Sequence, residues 1–187
     1  MIRILAVLVT LMGTAMAIAP ALAAPPKLPA GVDPQNAIVI DTTKGQIIIK
    51  LRTDLAPNHA ERIKQLAREG FYNNVPFHRV IEGFMAQTGD GQNHDGSGGS
   101  KYPNLKAEFS NVPFKRGIVG MARRGGDNDS ANSQFFIMYR ETDSLNGQYT
   151  VIGEVVSGMN VVDKLKKGEP VEKPDRMLKV QVAADMK

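Results

Sequence analysis

Short β-type runs separated by turn residues are the feature that most restricts how this chain can fold. Eleven prolines and 18 glycines supply turn formers, and most of those after residue 23 lie between the runs. The first two runs flank Thr42-Thr43-Lys44-Gly45, which predicts a hairpin. The predicted strands are 37–41, 46–51, 77–81, 84–87, 118–122, 134–138, 151–156 and 178–182. So many short strands favour an antiparallel sheet that closes on itself.

Two separated segments are predicted to be helical. The first begins at about Pro57 and stops at Gly70, and its apolar stripe consists of Ala60, Ile63, Leu66 and Ala67. The second spans about 159–167 with Gly168 as its cap, and its inward residues are Val162 and Leu165. Helices at these places would plug the open ends of the sheet. The pattern therefore predicts a mainly β fold capped by two α-helices.

The last predicted strand alternates between an apolar and a polar face. Because successive side chains of a strand point to opposite faces, Leu178, Val180 and Val182 would share one face. Lys179 and Gln181 would share the other.

The first 23 residues are typical of a targeting segment. Arg3 is their one charged side chain, an apolar run over 4–19 follows it, and small residues at 21–23 offer a cleavage site before Ala24. The run is 16 residues long and is interrupted by Gly13, whereas a membrane-spanning helix needs roughly 20 residues. We therefore predict a signal peptide over 1–23 and export to the periplasm. The alternative is an uncleaved membrane anchor.

Cleavage after residue 23 would leave 164 of the 187 residues, which are a proline-rich linker over 24–36 and one domain over 37–187. The 22 basic and 19 acidic residues that remain give a net charge of +3, too small and too evenly spread for a nucleic-acid surface. The chain has no cysteine, which excludes a disulfide framework and a lipid-attachment cysteine. The expected product is a monomer with neither a nucleic-acid nor a membrane partner.

Two short motifs are similar to a serine-protease site and a phosphate-binding loop, but each lacks essential features of that site. The segment Asp95-Gly96-Ser97-Gly98-Gly99 is similar to the serine-protease segment Gly-Asp-Ser-Gly-Gly, but its Asp and Gly are exchanged. A serine nucleophile also needs a positioned histidine and an oxyanion hole, so hydrolysis is only a minor alternative. The glycines over 89–99 lack the Gly-Lys-Ser/Thr ending of a phosphate loop.

The possible metal-binding motifs also lack essential ligands or spacing. Asp127 and Asp129 begin like a calcium loop, but Asn132 stands where the turn glycine belongs and Met138 where the bidentate glutamate belongs. The three histidines share no ligand spacing. No metal or other cofactor is implied.

The segment 77–87 combines side chains that suit a binding site. Strand alternation would place Phe77, Arg79 and Ile81 on one face, and the chain would return over 84–87 after a Glu82-Gly83 turn. A guanidinium, an aromatic ring, a thioether and an amide would then lie close together. A second run, Ser133-Gln134-Phe135-Phe136-Ile137, adds a buried ring and another amide. Taken alone, the apolar members are more typical of an ordinary core.

The order and spacing of these residues resemble the cyclophilins, a family of peptidyl-prolyl isomerases. The run Phe77-His78-Arg79-Val80-Ile81-x-Gly83-Phe84-Met85-x-Gln87-x-Gly89-Asp90-Gly91 is similar to the first family signature, and 133–137 is similar to the second. Further matches are Gly117, Gly120-Met121-Ala122, Leu145-x-Gly147, Gly153 and Val155. The resemblance covers about 37–183. It implies a closed eight-stranded antiparallel β-barrel with a helix at each end and a site on its outer face.

The resemblance also implies a role for particular residues. Arg79 would be the catalytic side chain. The pocket for the proline ring would be lined by Phe84, Met85, Phe136 and Leu145, and the substrate backbone would be bordered by Gln87, Ala122 and Gln134.

Three positions depart from the family pattern. Arg123 stands where many members carry Asn, Ser144 where the best-known eukaryotic members carry Trp, and Tyr149 where they carry His. Arg123 and Tyr149 would still border the substrate. The resemblance therefore implies a bacterial-type variant with altered substrate borders and the same chemistry.

These residue types suit isomerisation of X-Pro bonds. Amide resonance opposes rotation with a barrier of roughly 18–20 kcal/mol. No bond is broken, so an apolar pocket that grips the ring and a guanidinium directed at the proline nitrogen of the twisted transition state would suffice. The expected partners are unfolded or folding proteins and peptides that contain X-Pro bonds. The alternative function is a peptide-binding chaperone that uses the same groove without turnover.

Overall fold

The structure, a computed structural model, describes residues 27–186, so the predicted signal peptide over 1–23 lies outside the described residues. Within them, nine strands form one antiparallel sheet in the order β3-β9-β1-β2-β8-β6-β7-β5-β4. The strands are β1 (Ala37–Thr42), β2 (Gly45–Leu51), β3 (Val75–Pro76), β4 (Arg79–Ile81), β5 (Met85–Thr88), β6 (Ile118–Met121), β7 (Phe135–Met138), β8 (Val151–Ser157) and β9 (Arg176–Val182). The helices are α1 (Pro57–Arg68) and α2 (Met159–Val162). The predicted mainly β fold with two helices is confirmed.

The predicted closed eight-stranded barrel is wrong, because over residues 27–186 the ladder has nine strands and stays open between β3 and β4. Only Phe77 and His78 separate these two strands, so the curled sheet brings its ends together through the chain itself. The outer edge of β4 is occupied instead by Gly168. The Val80 N–H donates to the Gly168 carbonyl at 2.9 Å, and the Gly168 N–H donates to the Val80 carbonyl at 2.8 Å.

The main core lies between the inner face of the sheet and α1. Sheet residues such as Ile38, Ile40 and Val119 pack in one buried cluster with the stripe of α1. All four predicted stripe residues are buried, and they are Ala60, Ile63, Leu66 and Ala67. Pro57 opens the helix, and Gly70 follows it with a φ of +70°, where glycine is favoured. The predicted helix is therefore confirmed.

The second helix is shorter than predicted. It ends at Val162, because the chain beyond it tightens from i→i−4 to i→i−3 hydrogen bonds: Lys164 N–H donates to Val161 and Leu165 N–H to Val162. Val162 and Leu165 are nevertheless buried in the main core, as predicted.

A β-bulge reverses the predicted alternation at the start of β9. Asp41 pairs with Lys179 while Thr42 pairs with Met177, so Leu178 is the extra residue on its strand. Met177 is therefore fully buried, and Leu178 is 50% exposed. The prediction that Leu178 shares a face with Val180 and Val182 is wrong.

The two ends of the described chain meet beside this sheet. Pro34–Asn36, the last part of the predicted linker, forms a 3-10 turn that Asp33 caps, and Ala183–Asp185 forms another that lies next to it. The β1–β2 hairpin also forms as predicted, with Thr42 opposite Gly45. From residue 27 to residue 186, the structure contains no helix that is long and apolar enough to cross a bilayer.

Candidate functional site

Three neighbouring strands place polar and apolar side chains on the outer face of the sheet. Gln87 of β5 lies opposite both Arg79 of β4 and Phe136 of β7. The alternate residues of these strands, including Ala86 and Ile137, belong to the main core on the other face. Strand register thus brings a guanidinium, an amide and an aromatic ring together.

Phe77 does not join this group, which corrects the predicted alternation. Strand β4 begins only at Arg79, and the Phe77 N–H donates at 2.9 Å to the carbonyl of Asp175 on another segment. Phe77 is 1% exposed and packs in the main core.

A second apolar cluster supports the outer face. Phe114, which is fully buried, stacks on Phe136 with ring centroids 5.7 Å apart, and Tyr149 meets Phe136 edge-on at 5.6 Å. Met85 packs in the same cluster, with Phe84 and Leu145 half-buried against it. The rings that face outward therefore rest on a rigid layer.

This cluster forms the floor of a pocket of about 130 Å³. Since a water molecule occupies about 30 Å³ of liquid, the pocket suits a small side chain or ring. Its lining consists of Arg79, Phe84, Met85, Gln87, Ala122, Arg123, Phe136, Leu145 and Tyr149. Gln134, the remaining predicted site residue, lines an adjoining cavity of about 380 Å³ together with Gln87, Ala122 and Arg123. All ten predicted site residues thus lie around one continuous groove.

A chain of hydrogen bonds orients the polar side of the groove. Gln134 Nε2 donates to the carbonyls of Gly96 and Gly98, at 2.8 Å each, so its Oε1 must face Gln87. Gln87 Nε2 donates to that oxygen at 2.9 Å, which leaves Gln87 Oε1 to accept from Arg79 NH1 at 3.4 Å. The orientation of each amide is therefore set by its neighbour in the chain.

Arg79 has a second polar contact on its other side. Its Nε donates to Glu169 Oε1 at 2.5 Å. The side chain of Arg79 is 36% exposed, so its guanidinium borders both the pocket and solvent.

The two glycine carbonyls belong to a loop that Asp90 organises. The fully buried carboxylate accepts backbone N–H groups from Gln92, Asn93, Gly96 and Gly98 at 2.9–3.1 Å. Burial raises the pKa of Asp90, but these four donors outweigh it and lower the pKa to about 2.

Arg123 covers Tyr149 at the far edge of the pocket. Its guanidinium carbon lies 4.6 Å from the ring centroid, within range of a cation–π interaction. Its Nε donates to the carbonyl of Gln148 at 3.1 Å and its NH1 to that of Arg124 at 3.0 Å. Two of the positions that depart from the family pattern therefore contact each other.

Two residues of this site are not among those predicted from the sequence. Phe114 supports Phe136 from behind, and Glu169 contacts Arg79 across 90 positions of sequence. Neither lies in a signature run, so no local signal pointed to them. Only the fold brings them to the groove.

The glycine-rich loop around Ser97 lacks the geometry of a serine hydrolase. Ser97 is exposed, its hydroxyl donates to Asp95 at 2.6 Å, and Asn93 donates to it. Over the described residues, no histidine is among the hydrogen-bond partners of Ser97. The same part of the chain contains no group of three His, Cys, Asp or Glu side chains placed to hold a metal ion.

The fold and the groove together define a mainly β protein with an arginine-bordered pocket on the outer face of its sheet. Comparison with known proteins identifies it further. The family model of cyclophilin-type peptidyl-prolyl cis-trans isomerases matches residues 37–183. The chain belongs to this family, and it is a peptidyl-prolyl cis-trans isomerase.

Relatives and solved structures agree with this assignment. A probable peptidyl-prolyl cis-trans isomerase of Brucella suis biovar 1 (strain 1330) is 48% identical over 170 residues, which cover 83% of this chain and 86% of the relative. A Helicobacter pylori (strain ATCC 700392 / 26695) peptidyl-prolyl cis-trans isomerase is 40% identical over 135 residues, which cover 71% and 82%.

Two solved structures share the fold. A cyclophilin from Hirschia baltica is similar with a TM-score of 0.77 at 30% identity, over 83% of this chain and 77% of that one. A cyclophilin-type isomerase from Cryptosporidium parvum, crystallised in the presence of the dipeptide Ala-Pro, gives a TM-score of 0.72 at 25% identity, over 78% and 98%.

Proposed function

We propose that the pocket beside Arg79 receives the proline ring of an X-Pro bond and that Arg79 is the catalytic side chain. The observation that carries this proposal is that the fold brings several segments of the chain together around one pocket. The lining comes from separate parts of the sequence, around positions 79–87, 122–123, 136 and 145–149, yet these border one pocket of about 130 Å³. The apolar wall of Phe136, Met85 and Leu145 suits a ring with no hydrogen-bond donor.

The proposed mechanism needs only binding and electrostatics. While the proline ring stays in the pocket, the acyl part of the substrate turns and amide resonance is lost. The proline nitrogen then regains a lone pair, and an Arg79 N–H donates to it. This hydrogen bond is stronger in the twisted state than in either planar ground state, which lowers the barrier. Arginine suits the role because its donors form a rigid fork and it stays protonated.

Gln87 and Gln134 are proposed to border the substrate backbone. Their amides are already engaged with Arg79 and with the carbonyls of the glycine-rich loop, so their orientation is fixed before a peptide binds. Ala122 and Arg123 lie between the pocket and the larger cavity, where the residues that precede proline would pass.

The proposed clients are exported proteins that fold in the periplasm. The charged start, the apolar run and the small residues before Ala24 support this proposal. The enzyme would act as a monomer, with no membrane or nucleic acid as partner. Expression with the full N-terminus, followed by mass spectrometry of a periplasmic extract, should give a chain that begins at Ala24. Recovery of the intact chain from membranes would favour the anchor instead.

A protease-coupled assay on the purified chain 24–187 tests the site. Peptides with one X-Pro bond should isomerise faster in proportion to enzyme concentration. Phe84→Ala should raise KM, because the ring loses a wall of its pocket, and the matched surface change Phe109→Ala should not. If Phe84→Ala left KM unchanged, the proline ring would have to bind elsewhere.

A further inference from the structure

Glu169 is placed beside Arg79 by the backbone. The segment 168–171 is held against β4 by three hydrogen bonds: Val80 and Gly168 exchange two, and the Val171 N–H donates to the His78 carbonyl at 3.0 Å. In an antiparallel pair, the residue after Gly168 faces the residue before Val80. Glu169 directly follows this isolated bridge and Arg79 directly precedes it, so the backbone contact places the two side chains next to each other.

The local backbone is also intolerant of change. A Cβ at position 168 would lie 2.8 Å from the carbonyl oxygen of Pro170 and 2.9 Å from the Cα of Val171. Only glycine fits this approach, so Gly168 is needed for the tight local path of the segment 168–171. The carboxylate is thus presented from a fixed point.

The contacts of Arg79 divide its donors in a specific way. A guanidinium has five N–H donors. Nε donates to Glu169 Oε1 at 2.5 Å, and one NH1 donor is directed at Gln87 Oε1 at 3.4 Å. Two anchors on different nitrogens fix rotation about the end of a long, flexible side chain. The remaining donors stay available for a substrate.

We propose that Glu169 is a positioning residue for Arg79. It accepts the Nε–H and holds the guanidinium in the plane from which another N–H reaches the proline nitrogen. The proposal rests on the catalytic role proposed for Arg79. Because Glu169 does not line the proline pocket, its contribution belongs to the transition state rather than to peptide binding.

The test compares kcat and KM for Glu169→Ala, Glu169→Gln and the control Glu172→Ala in the protease-coupled assay. Glu169→Ala should lower kcat about two- to fivefold with little change in KM, the size expected when one exposed anchor is lost. Glu169→Gln keeps an oxygen acceptor at the same reach and should restore most of the rate. Glu172 is exposed directly after the segment 168–171, and its carboxylate is not among the contacts of Arg79. Glu172→Ala should therefore behave as wild type.

A double-mutant cycle separates this proposal from the one on which it rests. In the Arg79→Ala background, Glu169→Ala should cause no further loss. An unchanged or raised kcat for Glu169→Ala would overturn the positioning role, as would an equal loss in both backgrounds. A normal rate for Arg79→Ala would instead contradict the role of Arg79. If Glu169→Ala fails to fold, a Glu169→Gln rate no better than background would overturn the proposal.

Discussion

At the scale of single residues, Phe136 both lines the pocket proposed for the proline ring and packs on Phe114. Gly120 makes this packing possible. A Cβ at position 120 would lie 2.6 Å from a ring carbon of Phe114 and 2.6 Å from one of Phe136. Gly120 does not line the pocket, but only glycine at this position lets Phe114 and Phe136 pack as they do.

Gly120→Ala should damage activity and stability together. The added methyl group forces one or both rings to move, which costs about 1–3 kcal/mol of folding free energy and displaces the pocket wall. We expect kcat/KM to fall at least about tenfold, since small misplacements of binding groups are costly. Gly125→Ala is the matched control, because nothing lies within 4 Å of its Cβ position. Equal activity for the two variants would contradict this account of Phe136.

Ser144 is the residue for which the family resemblance makes a specific prediction. It is exposed on the 3-10 turn Asp143–Leu145, next to the pocket residue Leu145. In family members with Trp at this position, the indole packs over one side of the groove and contributes to binding the cyclic peptide cyclosporin. Ser lacks both the apolar area and the N–H donor of Trp.

We therefore expect weak inhibition by cyclosporin, and Ser144→Trp should tighten it. Loss of a buried aromatic anchor commonly costs about 2–4 kcal/mol of binding, which corresponds to tens- to hundreds-fold in affinity. The value of kcat/KM should change little, because the exposed side chain of Ser144 is not part of the pocket lining. Inhibition constants of both forms decide the question. Tight inhibition of the unmodified enzyme would show that the role assigned to Ser144 is wrong.

Six of the ten candidate site residues lie in the two signature runs, the other four came from further positions aligned with the family, and the structure places all ten around the groove. The runs carried enough information because strand pairing brings their members together. Glu169 and Phe114 were missed because their positions depend on contacts across the fold. Strand register, which selects Glu169 as the neighbour of Arg79, cannot be read from a local pattern.

At the scale of elements, the loop after β5 depends on one carboxylate. Asp90 accepts five backbone N–H groups, and the loop it shapes supplies the carbonyls that orient Gln134. The same buried charge therefore shapes the loop and, through the two carbonyls, helps to orient an amide of the groove.

The stability of the protein should depend on pH through Asp90. Its folded pKa of about 2 lies below the ordinary value of 3.8, so its contribution is present above about pH 4 and is lost as the pH falls through 2. The shift corresponds to about 2 kcal/mol of unfolding free energy. In urea unfolding, Asp90→Asn should cost about this amount at pH 7, and the difference from wild type should shrink at the lowest pH that keeps the protein folded.

Asp127→Asn is the control for this measurement. Asp127 is an exposed carboxylate on another loop, and its replacement should change little at either pH. If the difference in unfolding free energy between wild type and Asp90→Asn stayed constant with pH, the carboxylate charge would not be what stabilises the loop.

Elements were predicted well where periodicity is regular and poorly where pairing interrupts it. The stripe of α1 and the β1–β2 hairpin follow from local pattern alone. The bulge at Leu178 and the early end of α2 follow from how these segments meet their neighbours. Met177 and Leu178 are both apolar, and Val162 and Leu165 keep a helical spacing, so the apolar pattern does not reveal either feature.

At the scale of the whole molecule, the mainly β class was predictable and the closure of the sheet was not. Closure of the sheet depends on which backbone groups pair with the outer edge of β4. In this protein Gly168 forms those hydrogen bonds, with Val80. The same contact that keeps the ladder open carries Glu169 to the groove. The departure from a closed barrel therefore has a direct connection with the site.

The central claim is that an arginine fixed on this sheet accelerates rotation about X-Pro bonds. The most direct test is kcat/KM of Arg79→Ala and Arg79→Lys in the protease-coupled assay, alongside peptide affinity. Arg79→Ala should lower kcat/KM by about 10²–10³, the usual effect of losing one transition-state donor, while affinity falls much less. Arg79→Lys should not restore the rate, since lysine lacks the rigid fork. A nearly wild-type rate for Arg79→Ala would contradict the mechanism.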